Sequence, residues 1–87
     1  MTEKQYIKKA KNILKEIISI CYESESIELH QEIASIERGN KDQLDSVSSI
    51  SEVIYQIETT IELFSDDIDT EDYIKVEELV LELSEME

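Results

Sequence analysis

The sequence predicts an all-α protein: a small antiparallel up-down bundle of four helices, the second short, in one domain over residues 1–87. Three observations lead there. The chain has no proline and a single glycine, Gly39, so it lacks the residues that hairpin turns usually need. Its apolar content is aliphatic, with fourteen Ile and seven Leu against five aromatics and no Trp. Those residues recur every three or four positions in four segments, separated by short polar links.

Thr2 followed by Gln5 reads as a capping box that opens the first helix. Tyr6, Ala10, Ile13, Ile17 and Ile20, with Ile7, Leu14, Ile18 and Cys21 beside them, form two adjacent apolar stripes. A face that wide predicts contact with two or more neighbouring helices, or leaves surface for a homodimer. Ser24 and Ser26 are the candidate caps of a second helix carrying Leu29, Ile33 and Ile36. Arg38 and Gly39 are expected to end it, with a cation at the negative helix end and a glycine in the left-handed cap.

Asn40 to Asp45 is the next link, and Asp42 or Asp45 the expected cap of the third helix. That helix has the cleanest period in the chain: Val47, Ile50, Ile54, Ile57, Ile61 and Phe64 alternate steps of three and four, a heptad seam. Ser65–Asp69 interrupts it. Thr70 is the expected cap of a fourth helix, with Glu71 and Asp72 in the first turn and Tyr73, Val76, Leu79, Val80, Leu83 and Met86 inward. Ile74 and Leu81 fall outside that face, seven residues apart.

Charge divides the chain. Net charge is −14, yet residues 1–16 carry +3 through Lys4, Lys8, Lys9, Lys11 and Lys15, while residues 42–87 hold fifteen acids and one base, Lys75. Such a field repels nucleic acid and anionic membrane and attracts cationic proteins. The apolar runs are only a few residues long, far below the roughly 20 a membrane-spanning helix needs. The expected setting is cytoplasmic, without membrane insertion and without direct nucleic-acid binding.

One segment looks like chemistry. In Asp67–Glu78, DIDTEDYIKVEE, the residues Asp67, Asp69, Glu71, Ile74 and Glu78 match the ligand and apolar positions of a calcium loop. The segment resembles an EF-hand loop there, but Asp72 stands where the sharp bend needs glycine. A capped helix start explains the same residues with nothing missing, so neither a metal nor another cofactor is expected. Cys21 is the only cysteine, lies in an apolar run, and reads as a buried thiol; His30 reads as a boundary histidine. One Cys and one His at unrelated positions build no nucleophile–base motif, and no phosphate-binding glycine loop exists. The expectation is therefore no catalytic residue and no enzyme.

Three binding readings remain. The four-helix layout, the Glu37-Arg38-Gly39 end of the second helix and the Thr70-capped last helix resemble small helical bacteriocin immunity proteins. The resemblance is architectural, spans most of the chain and carries over no functional residue. It implies an immunity or antitoxin protein that inhibits a cationic effector. A second reading is a DNA mimic of the phage anti-defence kind, whose acids occupy the groove of a nucleic-acid-binding protein. A third is a structural or adaptor bundle that self-associates. The first two place the partner on the same residues: Tyr55, Glu58 and Glu62 on the third helix, then Asp66, Asp67, Asp69, Glu71 and Asp72 in the link and the fourth helix. Tyr55 is either an exposed anchor among acids or a boundary residue packed against a neighbouring helix.

Overall fold

A computed structural model describes residues 2–86. They form helices α1 (Glu3–Glu23), α2 (Ile27–Asn40), α3 (Val47–Leu63) and α4 (Thr70–Met86), with a single 3₁₀ turn over Ser65–Asp67. Among the described residues there is no strand. The chain is a small helical bundle.

Local chemistry sets each helix boundary. The Thr2 hydroxyl accepts the Gln5 N–H at 3.3 Å and the Gln5 side chain accepts the Thr2 N–H at 2.8 Å, which completes the expected capping box. Ser26 caps α2 by accepting the Leu29 N–H, while Ser24 fastens the link by accepting the Ser26 N–H and donating to the Asp67 carbonyl at 3.0 Å. That last bond joins the α1–α2 link to the α3–α4 link at one end of the bundle.

Three expected caps are corrected. Gly39 is not a left-handed cap: α2 runs through Asn40, and among the described residues no glycine has positive φ. The Asn40 amide donates to the Ile36 carbonyl at 2.8 Å, so it satisfies a terminal carbonyl that a glycine cap would otherwise serve. Ser46, rather than Asp42 or Asp45, caps α3: its hydroxyl accepts the Ser49 N–H at 3.1 Å, and Asp45 accepts from the Ser49 hydroxyl. At α4 the Asp69 carbonyl accepts the Tyr73 N–H, so Asp69 holds the cap position and Thr70 is the first helical residue.

α1 is central, as its wide apolar face predicts: it packs against α2, α3 and α4. Ala10, Ile17 and Cys21 are fully buried, with Ile13, Leu14 and Ile20 nearly so. The seam of α3 buries Ile50, Ile54, Ile57 and Ile61, whereas Val47 and Phe64 at its ends are half-buried. Val53 and Ser51 are buried beside that seam and extend it to a broader face. α2 is the shortest helix, but Leu29 and Ile33 are fully buried and it contacts both α1 and α3. It is part of the core. Ile68, in the link, is 8% exposed and belongs to the same cluster.

α4 is held least firmly. Of its inward residues only Val76 and Leu83 are buried; Tyr73, Leu79, Val80 and Met86 are half-buried. It contacts α1 well and α3 sparingly. Ile74 and Leu81 point outward, 50% and 61% exposed. Among the described residues, no helix is long and apolar enough to cross a membrane.

Candidate partner-binding surface

The sparse packing of α3 on α4 has an electrostatic counterpart. Glu58 is half-buried, and its carboxyl is pushed above the ordinary carboxylate range by burial first, then by Glu62 one turn on and Glu77 from α4. The Tyr73 hydroxyl is pushed up in the same way, by desolvation and then by Glu62, Glu77 and Glu58. Glu62 and Glu77 thus bear on both Glu58 and Tyr73 where α3 and α4 meet. No cation is among the causes of either shift. Tyr55 lies three residues before Glu58 on α3 and is 43% exposed, so its ring is available beside Glu58.

The remaining sequence-predicted residues lie elsewhere. Asp67, Asp69 and Asp72 line a cavity of about 330 Å³ together with Glu23 and Glu25 from the α1–α2 corner. Asp66 and Glu71 are exposed. Glu58 and Glu62 therefore belong to one acidic patch, between α3 and α4, and Asp67, Asp69 and Asp72 to another, where the two links meet. The first gains Glu77 and Tyr73, the second Glu23 and Glu25, and none of these four is among the predicted residues. Spacing could find none of them, because only the fold brings Glu77 and Tyr73 to Glu58, and Glu23 and Glu25 to Asp67.

Residues Thr70 to Glu78 of the calcium-loop match are helical, so their carboxylates run along a helix instead of around a loop. Among the described residues no group of three or more His, Cys, Asp or Glu is arranged to hold a metal ion.

The other polar groups are engaged in structure. The Tyr22 hydroxyl donates to Glu37 Oε1 at 2.7 Å, and that bond is the main reason its pKa is pushed up to about 12. His30 Nε2 lies 2.6 Å from the Ser24 carbonyl, and its ring meets Tyr22 edge to face at 5.4 Å. The Cys21 thiol is buried as expected; desolvation raises its pKa to about 12, so it is a poor nucleophile at neutral pH.

A cavity of about 400 Å³ is floored by Leu14, Ile18 and Val53 and lined by Lys11, Lys15 and Lys41 together with Glu37, Asp42 and Asp45, so its charges balance. Among the described residues, the ion pair is Lys9 to Glu82 at 3.6 Å, joining α1 to α4 with both side chains half exposed. A pair that open contributes little to stability. Comparison with protein-family models, curated proteins and solved structures gives no match.

Proposed function

We propose that this chain is a non-enzymatic protein-binding module of the immunity or antitoxin type, which neutralises a cationic effector through its acidic surface. The observation that carries the reading is the acidic cluster between α3 and α4. Glu62 and Glu77 both bear on half-buried Glu58 and on Tyr73, and no cation figures in the shifts of Glu58 or Tyr73. A cluster of that kind loses stability to self-repulsion in the free protein and gains when a cationic partner supplies the missing charge. Tyr55 beside it offers a large amphipathic side chain as an anchor.

The DNA-mimic reading draws less support. Duplex phosphates form a continuous track, one charge per roughly 1.7 Å of axis. Here the acids divide into two patches, one shared with α3 and the other with the α1–α2 corner. Self-association of an adaptor is opposed by the net charge of −14 on each copy.

Tyr55→Ala tests the assignment. It should weaken binding of the captured effector about tenfold or more while the unfolding temperature stays within about 2 °C of the parent, since the ring is exposed. A drop of several degrees with unchanged affinity would make Tyr55 a structural residue and remove it from the surface.

A further inference from the structure

The outward face of α4 carries a pattern that the bundle does not use. Glu71, Ile74, Glu78, Leu81 and Glu85 follow one another by three, four, three and four residues, and all five are exposed. They lie on one stripe about 21 Å long, at 1.5 Å per residue over fourteen residues. Two apolar side chains one heptad apart, with a glutamate on either side of each, are what a helical seam presents to another helix. Leu63 and Ile27 are also exposed, but each stands alone, as scattered surface apolar residues normally do.

Charge decides what covers the stripe. Packing α4 on a second α4 would bring Ile74 and Leu81 together but would set three glutamates against three. Packing it on the α1 lysines of a second copy, Lys4, Lys8, Lys11 and Lys15, would match charge locally, with exposed Tyr22 at the end of that stripe, but would bring together two chains of −14 each. Lys75 is the one base on α4, and Glu77 and Glu82 flank the stripe as closely, so the face stays negative. What remains is a helix that brings both kinds of group. We infer that the α4 stripe docks an amphipathic helix of a cationic partner, with apolar residues seven apart flanked by Lys or Arg. This rests on the cationic-partner reading above and assigns that partner's docking element.

The test uses two synthetic Ala-based helical peptides of equal composition. One has two leucines a heptad apart flanked by lysines; in the other the leucines lie on opposite faces. Binding to the full chain is measured by calorimetry at low salt. The patterned peptide should bind about tenfold tighter or more, and the double variant Ile74→Ser/Leu81→Ser should erase that difference without changing the unfolding temperature appreciably. Equal binding of the two peptides overturns the docking stripe and leaves the acidic-surface reading standing. Failure of both peptides to bind overturns both. A concentration-dependent dimer lost in the double variant would assign the stripe to a second copy. Uptake on neutral phosphatidylcholine vesicles, lost in the same variant, would assign it to lipid; either outcome overturns the inference.

Discussion

Replacing Glu58 by glutamine should make this protein more stable at neutral pH, and the gain should vanish in acid. Glu58 is half-buried on α3, and its carboxyl is raised by burial, by Glu62 and by Glu77. A raised folded-state pKa means that the folded chain holds this proton more tightly than the unfolded chain. Stability is therefore highest below the ordinary value of 4.5 and falls as pH climbs through and beyond it. Glutamine keeps the shape and removes the charge, so it escapes that loss. The like-charge pair Glu58–Glu62, four apart on one helix, is worth about 0.2–0.5 kcal/mol. For a domain this size that is roughly 1–4 °C in unfolding temperature. Thermal unfolding followed by circular dichroism at pH 7 and pH 4 measures it. Glu52→Gln, an exposed position absent from the charges acting on Glu58, controls for the change in total charge. A Glu58→Gln variant that melts below the parent at pH 7, or keeps the same advantage at pH 4, would refute the repulsion at Glu58.

Gly39→Ala should stabilise by about 0.5–1 kcal/mol, because Gly39 is helical, has no positive φ, and an added Cβ meets nothing within 4 Å; a destabilised variant in a urea titration would restore the left-handed cap. Leu83→Ala should cost about 2–5 kcal/mol, since α4 buries only Val76 and Leu83. A loss under about 1 kcal/mol in the same titration would mean that α4 is held by something else. Cys21 should resist iodoacetamide at pH 8 in the folded protein and react once denaturant exposes it, because burial raises the thiol to about 12. Rapid alkylation of the native chain would contradict that burial.

What could be read before the fold was known followed from periodicity. The seam Ile50, Ile54, Ile57 and Ile61 and the outward pair Ile74 and Leu81 lie where a 3.6-residue repeat puts them. Caps were harder, because Asp42, Asp45 and Ser46 are all competent and only the backbone entering α3 selects Ser46. Gly39 misled for a related reason: glycine permits a left-handed cap but does not require one, and Asn40 made it unnecessary. Ile68 reads as a link residue, yet it is buried against the end of the core. The surface was legible as chemistry but not as geometry. Tyr55, Glu58 and Glu62 share one flank of a helix by spacing alone. That Glu77 faces Glu58, and that Glu23 and Glu25 join Asp67, depends on which helices are neighbours.

Capture from the native host with the full chain as bait, washed at low and then moderate salt, bears most directly on the acidic surface as a binding site. The account predicts a basic protein that is held at about 50 mM salt, lost by about 300 mM as screening shortens the Debye length, and weakened by Tyr55→Ala. A partner that is acidic, or one that stays bound as salt rises and ignores Tyr55→Ala, would contradict it.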